Sequence, residues 1–246
     1  MKNGGVGSVW RMVKSDRLGW GSRPVGKRFA LRVLFATLLA LASGVPPSFA
    51  AEWDCTQSAG DFRRSTDCTM RDQVHVSGDL SLTGQETVYS KLTAASRKRH
   101  FSITNGAHTL RLKWLNMTGG NAGQYYGGSI AGNNVAARLN VSHCVFFNNR
   151  ANTGGAIIIQ RGTFEGEWNT FVRNTATGDW GSGGAISVQI GSVVSSTHSS
   201  FIKNYAKHRG GAIWLRGDDS GTPTQLILTR VELTENKQTN AGTNYL

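Results

Sequence analysis

The acidic residues best placed for acid–base chemistry are Glu165 and Glu167, two positions apart in "TFEGEW". Hydrolysis of a glycosidic bond uses two carboxyl groups about 5 to 9.5 Å apart that flank the bond. A lyase would need a metal cluster, or an Arg or Lys base, beside a carboxylate. In an alignment of the repeats described below, both glutamates face uncharged residues: Asn140 and Ser142 on one side, Ser195 and Thr197 on the other. We therefore expect no catalytic residues, and we interpret Glu165 and Glu167 as a solvated strand face.

A second set of residues could bind a ligand without reacting with it. Successive repeats place His143, Trp168, His198 and Arg230 three positions before a recurring apolar residue, which is Phe in three of the four. Aromatic rings and cations in a row suit sugar stacking or an anionic partner, provided that the chain bends outward there. The set is a hypothetical binding strip, and its alternative is ordinary surface packing.

The net charge and the N-terminal segment of the chain limit which partners and which location are expected. The 246 residues carry a formal net charge of +12, but residues 2–32 contain eight Lys or Arg and one acid, followed by an apolar run at 33–43. With small residues at Ser48 and Ala50, this is the pattern of a secretory signal peptide over 1–50. Removing it leaves 19 basic residues (27 less 8) against 14 acids (15 less 1), a net charge of +5. No basic stripe interleaved with aromatics remains, so a nucleic-acid partner is not expected.

The cysteines and histidines do not suggest a metal site. The cysteines are Cys55, Cys68 and Cys144, without a CxxC pair or a His/Cys spacing typical of zinc. Export would expose them to an oxidising compartment, where Cys55 and Cys68 are expected to form a disulfide. Cys144 is then left over and is expected to be a small buried side chain. We expect no metal and no cofactor.

Two alternating phrases repeat along the chain. "GGSI" or "GGAI" begins at 127, 154, 183 and 210, at steps of 27, 29 and 27 residues, and "FFNNRA", "FVRNTA" and "FIKNYA" stand between the copies. Weaker forms, "MTGGNA" and "LTENKQ", begin at Met117 and Leu233. After each Gly pair, apolar residues occur at alternate positions, as in a strand with one buried face. No segment after residue 51 has helical periodicity.

These features predict an all-β fold, a parallel β-solenoid of about six to seven coils stacked about 4.8 Å apart. The segment from Val74 and the segment from Arg99 are expected to form the first coils. Residues 51–72 would cap the N-terminal edge and 73–246 would form the repeat domain.

Stacking assigns structural roles to the repeated residues. The glycine pairs would turn the chain or admit a neighbouring backbone, Phe would form an internal aromatic column, and Asn would either form an amide ladder or adopt the left-handed conformation. The residues concerned are Gly127, Gly128, Gly154, Gly155, Gly183, Gly184, Gly210 and Gly211, with Phe146, Phe171, Phe201, Asn149, Asn174 and Asn204.

The alternation of "GGAI" with "FxxN", after the segment "HFSITNGAHTLRLKWLNMTGG", resembles the repeats of the chlamydial polymorphic outer-membrane proteins. The resemblance covers about 74–236. It implies a right-handed parallel β-helix and an adhesin-like passenger exposed at a cell surface, with no catalytic residues.

We therefore expect an exported β-helix protein of the cell surface, outer membrane or extracellular space, with a structural or binding role. A host-cell or cell-surface glycan or protein is the expected partner, and membrane association would need an anchor or partner outside this sequence. The open edge of the last coil would allow end-to-end self-association. The alternative function is a secreted polysaccharide lyase or glycoside hydrolase of the same fold.

Overall fold

The segments with alternating apolar residues form short parallel strands. A computed structural model describes residues 11–12, 50–103, 106–133, 136–217 and 223–239. No described residue is helical, and every strand pairing is parallel. This confirms the all-β parallel solenoid. Apart from residues 11–12 and 50, the predicted signal peptide lies outside the described residues.

Each coil passes through sheets A, B and C, and four coils add a short sheet D. Sheet A contains Ala51–Glu52, Gly60–Arg63, Leu80–Thr83, Thr109–Lys113, Arg138–Ser142, Thr163–Glu167, Val193–Thr197, Gln225–Thr229 and, paired to the last of these, Arg11–Met12. Sheet B contains Cys68–Thr69, Ser90–Thr93, Leu115–Thr118, Val145–Phe147, Thr170–Val172, Ser200–Ile202 and Glu232–Thr234. Sheet C contains Val74–His75, Phe101–Ile103, Ile130–Gly132, Ile157–Gln160, Ile186–Gln189 and Ile213–Arg216. Sheet D contains Arg150–Ala151, Thr175–Ala176, Tyr205–Ala206 and Lys237–Gln238.

The number of strands in these sheets agrees with the predicted six to seven coils. The described residues place seven strands in sheet B and six in sheet C, and five complete turns separate the first and last strands of sheet C.

The core is built from residues stacked in register. Phe146 lies on Phe171 and Phe171 on Phe201, each pair with centroids 4.7 Å apart and an interplanar angle of 5°. All three side chains are completely buried. Met117 precedes this column and Leu233 follows it, in the same register. In-register strand pairing therefore gives the core its shape, because it places like residues on like although the coils differ in length.

The two positions of each "GG" require glycine for different physical reasons. Gly154 has φ +64°, a conformation that L side chains rarely adopt. Gly155 has no such requirement, but a Cβ there would collide with the carbonyl oxygen of Gly184 on the next coil. The first glycine turns the chain, and the second permits neighbouring coils to stack.

The repeated asparagines form a ladder of buried amides. Asn149 Nδ2 donates to Asn174 Oδ1 (3.0 Å), Asn174 Nδ2 to Asn204 Oδ1 (2.9 Å), and Asn204 Nδ2 to Asn236 Oδ1 (2.9 Å). Each Nδ2 also donates to a backbone carbonyl of the preceding coil, and each Oδ1 also accepts the backbone N–H of the preceding Asn.

The left-handed alternative for these asparagines is wrong. Positive φ falls on the preceding residues: Asn148, Arg173, Lys203 and Glu235.

The N-terminal segment that was expected to cap the edge contributes strands of its own to sheets A and B. A Cys55–Cys68 disulfide joins two of its turns, with the Cα atoms 6.5 Å apart. Trp53 is completely buried and its ring centroid lies 5.9 Å from that of Phe101. A large aromatic residue thus fills the core where the coils begin.

The C-terminal tail extends the last coil. Lys237–Gln238 pairs with Tyr205–Ala206 and continues sheet D. Residues 240–246 lie outside the described residues. In sheet A, Arg11–Met12 pairs with Ile227 and Leu228.

Two buried polar side chains in the core have shifted pKa values. Cys144 is completely buried and its Sγ lies 3.3 Å from the Ser142 carbonyl oxygen, and burial raises the thiol pKa to about 12. His100 is also completely buried, and burial lowers its pKa to about 4. Neutral His100 satisfies both ring nitrogens, since Nε2–H donates to the Leu92 carbonyl and Nδ1 accepts from Ser129 Oγ, each at 3.0 Å.

Asn174→Ala should lower the free energy of unfolding by about 3 kcal/mol, because it removes four hydrogen bonds and leaves buried Asn149 donors without an acceptor. Asn140→Ala is the control, since that amide makes no hydrogen bond with a described residue and should cost less than about 0.5 kcal/mol. Denaturant unfolding measures both. Equal losses would contradict the ladder's role.

His100 should make stability depend on pH. The unfolded chain protonates this histidine below its ordinary pKa of 6.5, whereas the folded protein resists protonation until about pH 4. The contribution is fully present above pH 6.5 and is lost as pH falls to 4, by about 3 kcal/mol in total. Unfolding free energies measured across this range for the wild type and His100→Gln should converge as pH falls. A difference that is independent of pH would contradict the assignment.

Candidate functional site

A one-residue bend between sheets A and B places the predicted binding strip on the surface. His143, Trp168, His198 and Arg230 have φ of 53°, 55°, 49° and 52°, whereas the strand residues on both sides are extended. A single left-handed residue reverses the alternation, so the apolar residues of both strands can face the core. The bend residue itself then points away from the core, and Trp168 is half exposed.

The side chains at the bend lie one above another along the solenoid. The rings of Trp168 and His198 are parallel (6°), with centroids 4.2 Å apart, and His143 lies 6.4 Å from Trp168. Arg230 Nη1 lies 3.0 Å from His198 Nε2. Because a guanidinium can only donate, Nε2 of His198 accepts this hydrogen bond and a neutral ring carries its proton on Nδ1.

Trp114 is a further member of the strip that the sequence reasoning missed. It has φ 53° and its ring centroid lies 6.1 Å from that of His143. Lys113 Nζ lies 4.0 Å from the centroid of its ring. The signal was present, because Trp114 stands three positions before Met117, as the other members stand before Phe or, for Arg230, before Leu233. The strip now comprises Trp114, His143, Trp168, His198 and Arg230.

A shallow groove of about 610 Å³ runs along the outer face of sheet A beside the strip. Its walls combine hydroxyl and amide side chains with two cations, Arg111 and Lys113, and two acids, Glu165 and Glu167. Glu165 pairs in register with Asn140 and Ser195, and Glu167 with Ser142 and Thr197, as the aligned repeats predicted.

The two glutamates share one strand and one face. Both are exposed and both belong to the strand Thr163–Glu167, so they lie side by side on the outer face of sheet A. Arg111 is two coils away from Glu165 in the same register column, with Asn140 between them. The groove offers hydrogen bonds and charge, with no carboxyl group buried away from water.

A second set of exposed aromatic residues lies at the corner between sheets D and C. Trp180 is 77% exposed, Tyr125 73% and Tyr126 43%. Sequence reasoning did not select them, because they stand in insertions between the repeated phrases and have no counterparts on neighbouring coils.

The described ranges contain neither a metal-binding cluster nor a membrane-spanning helix. No three His, Cys, Asp or Glu residues within them cluster in a way that could hold a metal ion. The same ranges contain no helix with the length and hydropathy needed to cross a bilayer.

Comparisons with protein-family models, curated proteins and solved structures find no match to this chain.

Proposed function

We propose that this chain is an exported, non-catalytic β-solenoid that binds an extended glycan or glycoprotein at a cell surface through its strip. The observation that carries the proposal is the continuity of the strip: five successive coils place an aromatic, imidazole or guanidinium group at the same outward position. With coils about 4.8 Å apart, the five groups extend over about 19 Å. A ligand that contacts all of them must itself be extended.

The chemistry of the strip suits sugar rings that carry hydroxyl or acidic groups. The Trp168 and His198 rings stack on each other and present their edges along the strip, and Arg230 with Lys113 places a cation at each end. The neighbouring groove adds hydroxyl groups and Arg111 within the same face. A polar, shallow and elongated surface of this kind is suited to holding a polymer.

Export is supported by the leader-like residues 1–50 and by the Cys55–Cys68 disulfide, since disulfides persist in oxidising compartments. The repeat resemblance supports display at a cell surface as an adhesin-like passenger. In that role, regular stacking provides a stiff support and the bend provides the contact surface.

Replacing both Trp168 and His198 with Ala should weaken binding by about tenfold or more, because stacked aromatic groups in a contact surface contribute most of its affinity. The full chain would be titrated on an array of extended neutral and acidic oligosaccharides, and the strongest responders would be tested with the variant. Phe147→Ala is the control, being exposed on sheet B outside the strip. Unchanged affinity in the double variant, with the same thermal midpoint as wild type, would contradict the proposal.

The alternative is a polysaccharide lyase or glycoside hydrolase that uses the groove, and its support is the presence of Glu165, Glu167, Arg111 and Lys113 in one depression. Exposure and side-by-side placement of the glutamates favour binding over this alternative. We therefore expect the full chain to release neither unsaturated products nor reducing ends from polygalacturonate. Release that Glu165→Gln abolishes would replace the binding proposal with an enzymatic one.

A further inference from the structure

Unequal corners create a cavity away from the strip and the groove. In one coil the corner advances five residues along the chain, from Asn121 to Tyr126. The corresponding corner of the next coil advances only three, from Arg150 to Thr153. Parallel bridges between the two coils define both ends of these corners. The corner of the following coil advances seven residues, from Thr175 to Ser182. A short corner thus passes between two longer ones.

Backbone hydrogen bonds hold the short corner in this place. Asn152 N donates to the Tyr125 carbonyl (2.9 Å), and Gly178 N donates to the Asn152 carbonyl (3.1 Å). Asn152 Nδ2 donates to the Gln124 carbonyl (3.1 Å) as well. The longer corners therefore rise on both sides of Asn152 and Thr153, and the space between them is a cavity of about 320 Å³.

Aromatic walls and a polar floor line this corner cavity. Tyr126 and Trp180 come from the longer corners, and Trp214 comes from the outer face of sheet C. The floor includes Thr153 and Gln189, which are 6% and 8% exposed. Broad aromatic surfaces together with a few positioned polar groups are the usual composition of a small-ligand site.

The amide of Gln189 is held in one orientation. Its Oε1 accepts from Gln160 Nε2 (2.8 Å) and its Nε2 donates to Ser187 Oγ (2.9 Å). Because Nε2 carries two hydrogens, one remains for a group inside the cavity.

The charge around the cavity is positive. Arg216 lines it and forms no ion pair with any residue that the structure describes. The one acid in the lining, Asp179, is neutralised by Lys207 Nζ at 2.6 Å, and this pairing lowers the Asp179 pKa. Among the residues that the structure describes, an anionic group on a ligand would therefore meet Arg216 without an opposing unpaired carboxylate.

We propose that the corner cavity is a second binding site that holds a single pyranose ring bearing a carboxylate, as in a uronic acid. The C–H faces of the ring pack against Trp180, Trp214 and Tyr126, and its hydroxyls meet Thr153 and Gln189. Its carboxylate pairs with Arg216 in a charge-assisted hydrogen bond. This site is distinct from the strip and does not depend on the strip's function.

Four methyl glycosides test the proposal in two matched pairs: glucuronoside with glucoside, and galacturonoside with galactoside. Each is titrated into the full chain labelled with ¹⁵N-tryptophan, and the indole N–H signals are assigned by single Trp→Phe variants. At least one uronoside should shift the Trp180 and Trp214 signals with a Kd on the order of 1 mM, which suits a ligand of this size in a partly open site. The Trp168 signal should not move.

Variants give the decisive readout. Trp180→Ala should weaken uronoside binding at least tenfold, and its 77% exposure makes the substitution compatible with folding. Arg216→Gln should remove the preference for the uronoside over its neutral partner, whereas Trp168→Ala should change neither. No shift at Trp180 and Trp214 with any of the four would overturn the site, and equal affinity for both members of each pair would overturn the assigned carboxylate. Loss of polymer binding in the strip variants tests the other surface separately.

Discussion

Coil-on-coil register is the constraint on which the rest of this structure depends. A parallel strand bonds to its neighbour only when both coils return to the same position, so each coil must bring its strands back into register with the last, whatever the length of its corners. The Asn149–Asn236 ladder enforces this at one turn, since each amide bonds both to the amide and to the backbone of adjacent coils. The stacked Phe rings require the same register in the core.

The requirement for register acts differently at the bend between sheets A and B and at the corner between sheets D and C. At the bend between sheets A and B, the left-handed residue recurs in five successive coils, so the side chains that stand there are stacked into a continuous row. At the corner between sheets D and C, chain length is free to vary because sheet pairing resumes only afterwards. The bend therefore carries a long regular strip, and the corner of variable length forms an irregular cavity.

The same difference explains how far the sequence could be interpreted. Strand alternation, the Phe column and the bend follow from phrases that repeat in register, and so the fold and the position of Trp168 and His198 could be predicted. Trp114 could have been predicted in the same way, because Met117 of its coil stands in register with the Phe residues. The proximity of Trp180 and Trp214 could not be predicted from the sequence. It results from the packing of corners of unequal length, and the repeated phrases do not place these two residues in register.

Crystallising the full chain with the longest oligosaccharide that it binds would test the central claim most directly. The account predicts an extended ligand lying along the bend, with sugar rings over Trp168 and His198 and a polar group at Arg230. A ligand that instead lies across the groove, with Glu165 and Glu167 in contact with a glycosidic oxygen, would contradict a non-catalytic binding role.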